Sequence, residues 1–385
     1  MCDRIYLDHS ATTPLRPEAL EAMLPYFADI AGNSSSLHAD GQRAKQALDA
    51  ARESVAEALG ATPREILFTG GGTEGDNLAI LGVTEALKQR GHHIITSAIE
   101  HPAVLRTCEW LETRGLEVTY LPVDADGIVD LATLRASLRP DTVLVSIMLA
   151  NNEVGAVQPM AKIADLAHQH GVLVHTDAVQ AMGKMPVNVD HLGVDLLTLT
   201  AHKFCGPKGC GALFVRKGTP LEPITYGGHQ ERSLRPGTQN IPGIVGLATA
   251  LRLAINELPA QSTRLAALRD RLQATILTSI PHVKVNCAAP PRLPNILNVS
   301  FAEVDGEALL MALDMRGISV STGSACAAGA NEPSHVLEAL GLAPEWLQGA
   351  IRISLGRTTT NEDIDDVLAA LQQDVPRLRA LATGA

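Results

Sequence analysis

Aromatic residues are scarce: two Trp, four Tyr and five Phe make up 3% of the 385 residues. That shortage excludes an array of stacked aromatics for holding single-stranded bases, and it implies an aliphatic core. Positive charge is also in short supply, with 31 Lys and Arg against 42 Asp and Glu and a net charge of −11. Binding to a phosphate backbone needs clustered positive charge, so no direct nucleic-acid partner is expected. No apolar run approaches the roughly 20 residues that span a bilayer, so no membrane partner is expected either. The start, from Met1 to His9, lacks the apolar stretch of a secretory signal. Six cysteines, at positions 2, 108, 205, 210, 287 and 326, are scattered without a dense framework, which suits a reducing cytoplasm. Cys205 and Cys210 lie close together, yet no second pair completes a metal clip, so both read as structural and no metal is expected.

What the chain has instead is aliphatic bulk in a regular alternation. A hydrophobic fraction of 46% and a charged fraction of 19% describe a folded globular protein, long enough for two lobes. Short apolar runs at 65–69, 93–97, 117–121, 142–148, 172–176, 194–200 and 211–215 alternate with helix-length amphipathic segments. One of these, 159–170, is closed by Gly171. Such alternation predicts an α/β protein whose mostly parallel sheet is covered on both faces. Ligands bind these sheets outside the carboxyl ends of the strands. The rule gathers Gly70, Thr73, His101, Asn152, Asp177 and Lys203 along one rim. Beyond it, 241–258 reads as a long helix bridging to a second lobe, with strand patterns at 296–301 and 351–355.

Lys203 closes Thr200-Ala-His-Lys203 directly after an apolar run, a poor place for a solvated surface charge. Lysines so placed shift readily toward the neutral amine and form Schiff bases. Asp177 ends the apolar run before it. An amine and a carboxylate at neighbouring strand ends are what pyridoxal 5′-phosphate (PLP) needs, an imine former and a partner for its ring nitrogen. Gly70-Gly-Gly-Thr-Glu-Gly75 follows a strand and opens a helix expected over 77–87. The loop satisfies G-x-G-x-x-G, and Glu100 lies at about the spacing of a ribose-binding acid, so a dinucleotide dehydrogenase is a rival. Both readings hold phosphate on backbone N–H groups at a helix N-terminus. The hydroxyl of Thr73 and the Glu100-His-Pro102 turn favour a single phosphate and a working histidine.

With Asp177, Gln180, His202 and Lys203 added to that loop, the chain resembles the cysteine desulfurases of the NifS/IscS type. These belong to the class V aminotransferases and have PLP fold type I, the aspartate aminotransferase-like fold. The likeness runs from about Ile5 to about Leu371. Its markers include Tyr6-Leu-Asp-His-Ser-Ala-Thr-Thr-Pro14, Asn151-Asn-Glu-Val-Gly155 and His175-Thr-Asp-Ala-Val-Gln180. Further along come Gly227-Gly-His-Gln-Glu-Arg232, Thr322-Gly-Ser-Ala-Cys326, Glu332-Pro-Ser-His335 and Ile351-Arg-Ile-Ser-Leu-Gly-Arg357.

The resemblance implies a large PLP-binding domain over 16–257 with a mainly parallel seven-stranded sheet. It also implies a smaller α+β domain, made of 1–15 with 258–385, that carries a nucleophilic cysteine loop. Lys203 is expected to carry PLP and to move protons at the substrate Cα, and Asp177 to pair with the ring nitrogen. His101 is expected to stack on the ring as an acid/base, Gln180 to bond the phenolic oxygen, and Asn152 to contact ring or substrate. Gly72, Thr73, Thr200 and His202 are the expected phosphate ligands, with Thr238 reaching across from the second subunit of a homodimer. Arg352 is the expected clamp for the substrate carboxylate, assisted by Asn33, while Arg357 is assigned to an ordinary ion pair.

Cys326 stands in the small-residue run 321–330. By the same resemblance it takes sulfur from L-cysteine as a persulfide, leaving L-alanine, and passes it to a protein acceptor such as an iron–sulfur scaffold. The rivals are a selenocysteine lyase or another PLP-dependent C–S lyase, an aminotransferase, and a non-catalytic adaptor. Cys326 argues against the aminotransferase, and intact Lys203, Asp177 and His101 argue against the adaptor. Four positions depart from the common pattern: Thr200, Thr322 and Gly75 stand where serine is frequent, and Asn331 where leucine is.

Overall fold

A computed structural model describes residues 4–289, 291–322 and 333–383. The chain enters through a two-residue strand, β1 (Ile5–Tyr6), and a strap that turns at residues 9–11 and is tied at Thr13 to the His202 carbonyl. After the helix Ala39–Leu59 come the strands β2 (Ile66–Thr69), β3 (His93–Ser97), β4 (Glu117–Leu121), β5 (Thr142–Ser146), β6 (Leu173–Asp177), β7 (Leu196–Thr200) and β8 (Gly211–Val215). They form one seven-stranded sheet in the order β2-β8-β7-β6-β5-β3-β4. Strands β3 to β7 pair in parallel, and only β8 runs antiparallel to its neighbours β2 and β7. Every residue of β2, β3, β5, β7 and β8 is buried, which is why these strands appear as unbroken apolar runs.

The glycine-rich stretch is helical earlier than expected. The helix spans Gly72–Ala86 rather than beginning at residue 77. Its glycines serve close packing: a Cβ on Gly72 would lie 2.9 Å from Val179 Cγ2, and one on Gly75 would lie 2.7 Å from Thr198 Cγ2. The first turn is thereby pressed onto the ends of β6 and β7.

The bridging helix also differs from expectation. It runs unbroken for 39 residues, Ile241–Ser279, through Pro259, where the sequence predicted an end. An interior proline removes one ladder hydrogen bond and costs ~3 kcal/mol. Apolar burial on both sides of it offsets this loss. Ile244, Leu247 and Leu251 pack into the core beneath the large sheet, and Leu265, Leu268, Leu272 and Ile276 into a second core. By length and composition this helix is apolar enough to cross a membrane, but half of its apolar window is buried inside the protein.

The second core lies under β9 (Val283–Asn286), β10 (Ile296–Phe301) and β12 (Ala350–Ser354), with β10 central and antiparallel to both. Strand β1 pairs in parallel with β11 (Ile318–Ser319), so the N-terminus belongs to this core although its strap reaches the other. The C-terminal helix Asn361–Thr383 closes it with Ile364, Val367, Leu371 and Val375.

Candidate active site

The carboxyl ends of β6 and β7, the start of the glycine helix and the N-terminal strap enclose a cavity of about 580 Å³. Ten of the expected site residues line it: Gly72, Thr73, His101, Asn152, Asp177, Gln180, Thr200, His202, Lys203 and Arg352. Of the residues gathered by the rim rule for parallel sheets, Thr73, His101, Asn152, Asp177 and Lys203 line this one cavity and Gly70 does not.

Lys203 sits in the single helical turn Ala201–Lys203 that follows β7. Its ammonium donates to the carbonyls of Ser10 and, at 2.8 Å, Ala11. Buried Lys184 donates to the Lys203 carbonyl at 3.2 Å. Burial, and then the charge of Lys203, push the Lys184 amine down to about 7.

Asp177 is the last residue of β6 and accepts the Val179 N–H at 2.8 Å. Burial raises its carboxyl to about 6 against the opposing pull of Lys203. Gln180 donates to the Ser10 carbonyl at 2.9 Å, leaving its own Oε1 buried without a partner.

His101 caps the helix Pro102–Glu112, its Nδ1 accepting the Ala103 N–H at 3.1 Å. Burial first, then Lys203, lowers it to about 4, so its imidazole is neutral at neutral pH. His202 is lowered to about 4 for the same two reasons, and its Nδ1 lies 3.1 Å from Thr12 Oγ1. The Thr200 hydroxyl donates to the Cys210 carbonyl at 3.2 Å.

Arg352, at the centre of β12, is buried. It donates from Nη1 to the Asn152 carbonyl at 3.1 Å and from Nη2 to Asp8 at 2.8 Å.

Other expectations fall elsewhere. Asn33 is exposed outside the cavity, where its Oδ1 accepts the Ser35 N–H, so this chain does not bring it to Arg352. Thr238 is likewise exposed and does not line the cavity. Arg357 is exposed and forms no close ion pair among the described residues, contrary to expectation; Glu18, which feels its charge, is bonded to Arg16 instead. Cys326 and Asn331 lie outside the described residues. The dinucleotide rival loses its acid: Glu100 is buried, accepting the Met148 N–H and the Ser97 hydroxyl, and no ribose can reach it.

Sequence reasoning gave no role to several other residues at the cavity: Ser10, Ala11, Asp76, Glu153 and His335. Glu153 accepts the Ser334 hydroxyl at 2.6 Å and is raised by burial to about 7. His335 donates from Nε2 to the Glu100 carbonyl at 3.0 Å. Both stand in the quoted motifs, Asn151 to Gly155 and Glu332 to His335, which was the signal available.

PLP suits this lining on three counts. The partnerless Gln180 oxygen and the singly bonded Asp177 carboxyl face the same space as the Lys203 amine. The first N–H groups of the glycine helix have no preceding turn to receive them and open toward its outer end, where a dianion is welcome. At Gly72 a side chain would crowd Val179. Fold and site together define a PLP-dependent enzyme of fold type I.

The family described as Aminotransferase class-V matches residues 5–367. The cysteine desulfurase IscS of Methanosarcina thermophila is 50% identical over 378 residues, covering 98% of this chain and 93% of that protein. Cysteine desulfurase 1 of Trichormus variabilis is 48% identical, covering 98% and 94%. Among solved structures, a NifS-like protein superposes with a TM-score of 0.92 at 40% identity, covering 97% of this chain and all of that one. The crystal structure of DndA from Streptomyces lividans gives 0.77 at 39% identity, covering 91% and 99%. The chain belongs to the class-V aminotransferase family and, within it, to the PLP-dependent cysteine desulfurases.

Proposed function

We propose that the cavity binds PLP on Lys203 and takes L-cysteine, releasing L-alanine and leaving the sulfur on Cys326 for transfer to a protein acceptor such as an iron–sulfur scaffold. The supporting observation is the convergence of the Lys203 amine, the Asp177 carboxyl and the Arg352 guanidinium on one cavity. Bound PLP supplies an electron sink that lowers the cost of removing the substrate Cα proton.

The rest falls to the chain's own residues. Asp177 would pair with the ring nitrogen, Gln180 would bond the phenolic oxygen, and Gly72, Thr73, Thr200 and His202 would hold the phosphate. Lys203, once its amine is released, moves the proton at Cα, and neutral His101 is the second proton carrier beside it. Arg352 and Asn152 hold the substrate carboxylate end. The Cys326 thiolate attacks the substrate sulfur; the S–S bond forms as the C–S bond breaks, and the electron pair left on carbon takes up a proton to give alanine. Burial pushes Cys108, Cys210 and Cys287 up to about 12 and leaves them as inert thiols, so they are poor rivals for this role. The choice of Cys326 over half-buried Cys205 rests on the family resemblance.

A homodimer in which Thr238 completes the partner's phosphate site belongs to this reading, and so does a cytoplasmic setting. So does a division into 16–257 and 1–15 with 258–385, which the two apolar cores support, with its boundary inside the bridging helix.

The test is Cys326→Ala. The variant is expected to keep the PLP absorption band and to lose both alanine release and the persulfide. Full turnover by it would refute the role of Cys326.

A further inference from the structure

The guanidinium of Arg352 has a counter-ion within its own chain. Nη2 donates to Asp8 Oδ1 at 2.8 Å and Nη1 to the Asn152 carbonyl at 3.1 Å, while Nε is buried with no partner. The Arg352 side chain is 3% exposed and that of Asp8 20%, so the carboxylate is the less enclosed member of the pair.

The backbone of Asp8 is held in place. It bridges to Ser354, the last residue of β12, and the Asp8 carbonyl receives the Tyr6 hydroxyl at 3.0 Å. The next residue, His9, donates its N–H to the Ser354 carbonyl at 3.2 Å. Only the Asp8 side chain can turn aside. A buried guanidinium stripped of its anion is strongly disfavoured, and two carboxylates crowded on one guanidinium repel each other.

We propose that Asp8 is a specificity-determining positioning residue: a resident carboxylate that keeps Arg352 oriented and that an incoming α-carboxylate must displace from Nη2. This rests on the reading of Arg352 as the substrate clamp. A ligand with a carboxylate alone meets the competition in full. An amino acid that also bonds its amine in place of Lys203 has a second source of binding. Asp8 therefore excludes simple carboxylates from the site at the cost of weaker initial binding for every ligand, a selection by opposition rather than by added contact.

The experiment uses purified holoenzyme as wild type, Asp8→Asn, Arg352→Gln and the double variant. Asparagine keeps the shape of Asp8 and an oxygen for Nη2 but carries no charge. The probe is propionate, a carboxylate without an amine, read both as a shift of the thermal midpoint and as inhibition of alanine release. Asp8→Asn is expected to bind propionate about tenfold more tightly than wild type, with KM for L-cysteine falling by a larger factor than kcat changes. Arg352→Gln is expected to abolish the propionate response in both backgrounds.

Unchanged or weaker propionate binding by Asp8→Asn overturns the proposal, as does a lowered midpoint with no gain in affinity, the mark of a merely structural role. If Arg352→Gln leaves both propionate binding and the KM for L-cysteine as in wild type, the clamp reading itself fails and takes the proposal with it. Should Asp8→Asn not fold, Asp8→Ser, smaller and equally neutral, goes through the same titration under the same criteria.

Discussion

The ammonium of Lys203 donates to the carbonyl of Ala11, 192 positions earlier in the chain, at 2.8 Å. With the neighbouring carbonyl of Ser10 it gives the amine a seat within the cavity. Gln180 donates to the same Ser10 carbonyl, so one peptide unit of the strap serves two site residues.

That seat separates two functions of the lysine. Lys203→Ala is expected to lose the borohydride-reducible colour of bound PLP, and its activity should fall roughly 10⁴-fold or more. In PLP-free protein, where the wild-type amine is not tied up in an imine, the same change should also loosen the strap, raising hydrogen exchange at the amides of residues 10–13. Lys203→Arg restores a cation for the two carbonyls without an imine-forming amine. It should recover the exchange protection but not the colour. Equal exchange in all three proteins would show that the strap is held by other contacts.

Thr198 fills the space beside Gly75, with its Cγ2 2.7 Å from the position a Cβ would take. The same Thr198 hydroxyl lies 3.0 Å from His175 Nε2. Gly75→Ser is expected to destabilise the protein by ~1–3 kcal/mol through overpacking. Thr198→Ser removes the crowded methyl and keeps the hydroxyl, so the double variant should regain most of that loss. Additive thermal shifts in a double-mutant cycle would mean that the two sites do not share this space.

Glu100 offers a pH test. Burial raises its carboxyl from 4.5 to about 8, against the hydrogen bonds from Ser97 and Met148. Between those two values the unfolded chain has ionised at this position while the folded protein keeps its proton. Folding then binds the extra proton, so this contribution to stability is complete below about 4.5, declines as pH rises and is gone above about 8. Glu100→Gln keeps an oxygen for Ser97 and Met148 and cannot ionise. Its thermal midpoint relative to wild type should climb steadily from about pH 5 to about pH 8 and then level off. Parallel midpoint curves across that range would place the charge of Glu100 in both states alike.

Much of this architecture was legible because burial on both faces writes itself into composition. Strands β3, β4 and β10 appear in the sequence with the bounds they have in the fold, and most of the residues the rim rule gathers line one cavity. The failures have a common physical root. Gly72 and Gly75 look like loop residues, yet they are helical because two strands press against them. Pro259 looks like a stop, yet it is carried through because the flanking turns are buried in separate cores. Ser10 and Ala11 act through their carbonyls, which every residue possesses, so no side-chain pattern could mark them. Asp8 lay in a quoted motif, but its partner is 344 positions away and only the folded chain brings the two together.

The strap's ancestry in the smaller core has a further effect. Strand β1 is two residues long and is held to β11, while the carbonyls it leads to seat the lysine of the opposite lobe. Peeling that short pairing away, along with the Asp8–Ser354 bridge and the Ser10 bond to the Ser354 hydroxyl, would unseat the amine and remove Asp8 from the arginine together. Mild denaturant should silence the enzyme before the large sheet registers any damage.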